Sequence, residues 1–220
     1  MPGIDHLDTV QLVALAAALG WASGIRLYAV LFVVGGLGLL DWVELPQGLR
    51  VLSHPWVLGA SGFMCFVEFF ADKIPGVDSL WDVVHTFIRI PAGAALAASV
   101  FGGEPGAVVL AAAIVGGSLA AGSHLAKTGS RALINTSPEP FSNWAASFGE
   151  ELAVGTVLWL AFVHPVAALA VLAVLVLLMI WLIPKVWRFL RSILERIAGA
   201  FGAPPGRRDD ATTTNRSADV

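Results

Sequence analysis

Charge is what this sequence has least of. Asp, Glu, Lys and Arg make up 13% of its 220 residues, against roughly 25% in an ordinary soluble domain. A fully solvated surface is excluded. The N-terminus MPGIDHLDT holds no Lys or Arg; a cleavable signal peptide needs a basic start, so the first helix is expected to stay in the mature protein. A single cysteine, Cys65, excludes an intramolecular disulfide and a cysteine-based metal cluster, and reads as a small apolar residue in a helix. No nucleophile motif, phosphate loop or cofactor fingerprint occurs, and no basic face suits a nucleic acid. No cofactor, resident metal or nucleic-acid partner is expected, and enzymatic activity is the less favoured class.

What is present is hydrocarbon. Hydrophobic residues make up 57% of the chain, and mean hydropathy is +0.78. About 20 apolar residues cross a bilayer as a helix. The apolar runs sort into seven segments, 7–22, 26–42, 55–71, 80–101, 105–126, 143–162 and 165–183. The predicted fold class is all-α, a polytopic membrane helix bundle with broken or re-entrant helices. A single helix through 7–42 would be about 54 Å long, too long for one crossing. Ala22-Ser23-Gly24 therefore either turns the chain between two helices or makes a re-entrant pair. Further breaks are expected at Pro75-Gly76 and near Gly129.

The bundle is expected to occupy residues 1–183. After Pro184, Val186, Phe189, Leu190, Ile193, Ile197 and Phe201 share one helical face, with Lys185, Arg188, Arg191 and Arg196 mostly on the other. Residues 184–202 read as a basic amphipathic helix in the headgroup layer, attracted by anionic lipids. Residues 203–220 lack apolar content and read as a disordered cytoplasmic tail. Lys and Arg collect on the cytoplasmic side of membranes, which puts the C-terminus inside. Counting back through seven crossings places Arg26, Lys73, Lys127 and Arg131 inside and Arg50 outside with the N-terminus. Trp42 and Trp56 then flank an outer loop, while Trp21, Trp81 and Trp144 fall near inner ends, as interfacial Trp should.

Against this background, residues 68–89 stand out. The block EFFADKIPGVDSLWDVVHTFIR holds Glu68, Asp72, Lys73, Asp78, Asp82, His85 and Arg89 between two apolar runs. A charge at membrane depth costs about 2.5–3.5 kcal/mol on insertion scales, and such groups persist where they face a cavity or each other. Glu68 and Asp72 share a helix face. Asp78, Asp82, His85 and Arg89 form one stripe. Neighbouring carboxylates can carry a proton and histidine titrates near neutral pH, so Glu68, Asp72, Asp78, Asp82, His85 and Arg89 are candidates for a substrate or proton pathway. Asp78, Asp82 and His85 could also offer oxygen and nitrogen ligands to a divalent cation. The plainer reading is an ion-pair lock, with Asp82 or Asp78 on Arg89 and Asp72 on Lys73.

A basic stripe follows: His124, Lys127, Arg131 and Asn135. Ser23-Gly24-Ile25-Arg26 and Thr128-Gly129-Ser130-Arg131 form a weak parallel repeat, and broken helices at repeats often meet at a substrate site. Arg26, Lys127, Arg131 and Asn135 are the anion-binding candidates. Headgroup snorkelling accounts for Lys127 easily and for Arg26 less well. In the segment NTSPEPFSNW, two prolines around a Glu exclude helix interior. Ser137, Glu139, Asn143 and, on the next helix, Glu150 are candidates for a cavity mouth.

The blocks ASGIRLYAV, EFFADKIPGVDSLWDVVHTFIRIPAGA and NTSPEPFSNW together resemble an uncharacterised bacterial integral-membrane family, the domain-of-unknown-function family numbered 4126. The resemblance covers roughly residues 10–180. It implies a multi-pass protein of the bacterial inner membrane and carries over no activity. Glu68 to Lys73 is also similar to the Glu, Gly-Asp-Lys motif of a cation-exchanger family, with Ala71 in place of the Gly. Thr128 to Arg131 is similar to the Gly, Ser, Arg loop of polyprenyl-pyrophosphate phosphatases, without its preceding Pro and second Ser. The expected function is a small transporter or permease with an acidic, proton-coupled site for an unknown solute. The alternatives are an enzyme or carrier acting on a phosphorylated polyprenyl lipid, and a structural membrane protein.

Overall fold

The first two apolar segments form one element bent back on itself. Helix α1, Thr9–Leu39, has non-helical angles at Arg26 (φ −141°, ψ 68°). Its start and its end meet the same neighbours. Leu7 and Leu12 share a cavity with Leu45 and Arg50, and Gly38 packs on Leu45 and Ser53. A straight helix of that length would hold its ends about 45 Å apart, so the chain reverses at Arg26. The turn lies just beyond Ala22-Ser23-Gly24, where the length of the apolar run required one. Gly24 is needed for another reason: a Cβ there would come within 2.2 Å of Ala120 O, so it permits contact with α4.

In this computed structural model the described residues are 7–74, 76–135 and 140–202. After α1 come a 3₁₀ helix, Gln47–Ser53, and the helices α2 (Pro55–Ala71), α3 (Val77–Val100), α4 (Gly106–Ile134), α5 (Pro140–Val163) and α6 (Pro165–Gly202). Among the described residues there is no strand. Among the described residues, five helices are long and apolar enough to cross a membrane, and α2 is a shorter apolar helix. The chain is a multi-pass helical membrane protein.

Asp8 starts α1 with a reciprocal capping box to Gln11. His54 caps α2, whose first residue is Pro55, where a missing N–H costs nothing. Gly76, at φ +86°, turns the chain from α2 into α3, in a backbone region open to glycine. Asp78 accepts hydrogen bonds from the amides of Gly76 and Ser79, which explains why α3 begins before residue 80.

Two expected boundaries need correction. The helix does not break near Gly129: α4 continues to Ile134. Gly129 instead lets Val186 of α6 approach, since a Cβ would lie 2.7 Å from its Cγ1. Helix α6 runs through Pro184 to Gly202, so residues 165–183 and the basic stretch 184–202 are one helix, its membrane-length apolar portion ending at Phe189. Residues 203–220, expected to be a tail, lie outside the described residues.

The first arm of α1 runs alongside α4. Small residues bring α1, α3 and α4 close: Gly20 faces Gly116, Gly116 faces Ala97 and Gly93 faces Ala120, the way helices associate where lipid is as apolar as a side chain. Ala14, Leu15, Ala18, Leu19, Val30 and Val34 of α1 are buried. Phe63, Phe66, Phe87, Ile114, Leu152 and Leu177 stay on the outside, where hydrocarbon would meet them. The 3₁₀ helix marks one end of the bundle. Asp72, Asn135 and Asn143 mark the other, towards which the basic part of α6 points.

Candidate functional site

The reversal of α1 carries backbone deep into the bundle. Gly24 touches Ala120, which lies about 21 Å from either end of α4 at 1.5 Å per residue. A broken helix exposes the polar groups of its two arms, and each needs a partner away from water. Side chains of α4 supply them. Ser123 donates to Trp21 O at 2.7 Å, Lys127 donates to Ile25 O at 3.2 Å, and His124 Nδ1 lies 3.3 Å from Gly24 O.

Around this tip the predicted charges converge. Arg89 of α3 bridges Glu68 at 2.5 Å and Asp82 at 2.6 Å. Lys127 meets Asp72 at 2.8 Å, and Asp82 and Glu150 at 3.5 Å. Arg26 meets Asp72 at 3.1 Å, Glu150 at 3.5 Å and the Ser147 hydroxyl at 2.7 Å. Arg131 donates to Glu150 at 2.9 Å, to Asp72 O and to Asn143. Glu68, Asp72, Asp82, Arg89 and Arg131 have no exposed surface. Four cations and four carboxylates from five helices thus form one cluster, in which every charge faces an opposite one. Truncating one member of such a set leaves an uncompensated buried charge.

Asp78 stands one step away. Both of its carboxylate oxygens accept from Asn135 Nδ2 at 3.0 Å, and Asn135 Oδ1 accepts from Asn143. Through Asn143 this polar chain reaches Arg131. His85 is buried but faces aromatic groups: it stacks on Trp81, and its ring nitrogens lie 2.8 Å from Trp81 O and 3.1 Å from the Tyr28 hydroxyl. Asp78, Asp82 and His85 therefore do not converge as ligands, and among the described residues no group of three His, Cys, Asp or Glu is placed to hold a metal. Of the lock pairs, Arg89 with Asp82 is present. Asp72 turns to Lys127 and Arg26 instead, while Lys73 lies over the Phe69 ring. Ser137 and Glu139 lie outside the described residues.

Sequence reasoning missed Tyr28, Thr86, Ser147 and Glu151. Thr86 bonds His124 at 2.7 Å, and Glu151 lies 3.6 Å from Arg26. Ser147 could have been found from its spacing, since Asn143, Ser147 and Glu150 fall on one helix face. One oxygen each of Glu68, Asp72, Asp82 and Glu150 is buried without a hydrogen-bond partner. A cleft of about 210 Å³ between α1, α4, α5 and α6, lined by Trp21, Lys127, Ser130, Glu150, Leu178 and Met179, reaches the cluster from the outer face of the bundle.

A family model described as a domain of unknown function, number 4126, matches residues 13–185, and the chain belongs to that family. The match takes in every residue of the cluster. Neither the curated proteins nor the solved structures gave a match.

Proposed function

We propose that this member of the domain-of-unknown-function family numbered 4126 is a small proton-coupled permease. The observation that carries the reading is the tip of the broken helix α1, which enters a buried cluster of titratable side chains beside the C-terminal half of α4. Discontinuous helices that meet charged groups at midplane depth are how secondary transporters build ion and solute sites. Glu68, Asp72, Asp82 and Glu150 are the proton-carrying candidates. Arg26, Arg89, Lys127 and Arg131 hold them in place. Asp78, Asn135 and Asn143 extend the polar path towards the end of the bundle, and His85 stands beside it. In this reading the protein sits in a bacterial inner membrane with its C-terminus cytoplasmic, and the basic end of α6 contacts anionic lipid.

The test is proton movement in proteoliposomes holding an internal pH dye, driven by an imposed pH gradient. Wild type should dissipate the gradient faster than protein-free vesicles. Glu68→Gln and Asp72→Asn, inserted and monodisperse, should not. No flux in the wild type would sink the reading.

The lipid-phosphate alternative draws on the cleft, which reaches Lys127 from the apolar side. Against it, the guanidinium groups of Arg26 and Arg131 already face Asp72 and Glu150. A phosphate would have to displace those carboxylates.

A further inference from the structure

Lys127 is the one lysine of the cluster, and its surroundings are those of a bound cation. Its ammonium lies 2.8 Å from Asp72 Oδ2, 3.2 Å from Ile25 O, and 3.5 Å from both Asp82 Oδ1 and Glu150 Oε2. The four oxygens come from α2, α1, α3 and α5, and α4 delivers the ammonium. Ile25 O belongs to the last turn of the first arm of α1, whose unpaired carbonyls form the negative end of that helix dipole. Half-helix carbonyl ends joined by carboxylates at midplane depth are where coupling cations sit in transporters. Around these oxygens, Arg26 of α1 meets Asp72, Glu150 and Glu151, Arg89 of α3 meets Asp82 and Glu68, Arg131 of α4 meets Glu150, and His124 of α4 lies 3.4 Å from Arg89. Helix α6 adds only apolar side chains here, such as Leu175 and Met179.

We infer that the Lys127 ammonium is the tethered occupant of an intramembrane monovalent-cation site built from Ile25 O, Asp72, Asp82 and Glu150. The inference deepens the permease reading, on which its transport role rests, by naming the oxygens at which a cation is held. Arg26 and Arg131 present planar guanidinium forks, whereas an ammonium is a compact point charge that fits within one set of oxygens.

An ammonium is close in size to a potassium ion, so removing the side chain should create a site that a free cation can refill. The experiment follows thermal unfolding of purified Lys127→Ala in equal concentrations of ammonium, potassium or N-methyl-D-glucamine chloride. At about ten times its dissociation constant, a small cation should raise the midpoint by roughly 3–6 °C over the bulky one. Wild type should show no preference among the three salts. Lys127→Met fills the space without charge and should not respond, and Asp72→Asn added to Lys127→Ala should remove the preference. Equal midpoints for Lys127→Ala in all three salts would overturn the inference. So would failure to recover that variant even in ammonium. Cation-dependent stability of Lys127→Ala together with a wild type that moves no protons would leave the site standing and discard the permease.

Discussion

Replacing Arg89 with Met is the sharpest probe of the cluster's energetics. The side chain has no exposed surface, and its two terminal nitrogens hold Glu68 and Asp82. Methionine keeps much of the volume and removes the charge. Two buried carboxylates are then left without their main cation, although Asp82 keeps Lys127 at 3.5 Å. Breaking a buried pair by removing one partner costs about 3–5 kcal/mol. That is a large part of a typical stability of about 5–15 kcal/mol, and shifts the folding equilibrium by roughly two to four orders of magnitude. The triple change Glu68→Gln, Asp82→Asn, Arg89→Met removes charge from all three groups and should recover most of the loss, because replacing a whole buried ionic set is often close to neutral. The assay is reversible unfolding in detergent or bicelles, followed by tryptophan fluorescence. If Arg89→Met lies within about 1 kcal/mol of wild type, a range ordinary for surface changes, the reasoning fails. If the triple variant is no better than the single, the cost lies in packing and not in the unpaired charge.

Other expectations follow from particular contacts. Gly24→Ala places a methyl group 2.2 Å from Ala120 O, so it should destabilise by about 1–3 kcal/mol or more by overpacking. Gly59→Ala, with nothing within 4 Å, should stay within about 0.5 kcal/mol, and the same unfolding assay compares the two. Reporter fusions after Glu44 and after residue 205 should report opposite sides of the membrane, because α1 returns to its own starting end and five further helices follow. The same side for both would refute that topology.

The membrane bundle and its charged core were legible in the sequence, because a charge in hydrocarbon has to be compensated wherever it falls. Glu68, Asp72, Asp82 and Arg89 could be read from local spacing. Their pairing with Arg26, Lys127 and Glu150 could not, since those contacts join residues from separate helices. Asp72 and Lys73 show how local proximity misleads. Adjacent residues on a helix project in different directions, and Asp72 turns inward to Lys127 while Lys73 turns to Phe69. Glycine misled at one of two positions. The break in α1 does fall near Gly24, at Arg26, but Gly129 serves only helix contact. The extension of α4 beyond residue 126 was hidden because His124, Lys127 and Arg131 lower the hydropathy there. Yet all three are buried, so the polar end of that helix is interior.

The break and the cluster explain each other. A helix reversing in hydrocarbon leaves carbonyls that water cannot reach, each costing several kcal/mol if unpaired. Trp21, Gly24 and Ile25 find partners in Ser123, His124 and Lys127, three side chains within two turns of α4. Lys127 and Arg26 then bring positive charge into the interior of the bundle, and that charge needs Asp72, Asp82 and Glu150. Arg89 in turn balances Glu68 and Asp82. A purely structural helix would have avoided the whole chain of compensation by running straight through the membrane. A sequence that keeps the break must keep at least one residue on each of five helices to neutralise it. Such a cost is understandable where the tip has to move or exchange a proton. It also makes a specific demand: any variant that straightens α1 at Arg26 should tolerate Ser123→Ala, whose hydroxyl serves Trp21 O at the break, whereas wild type should lose stability.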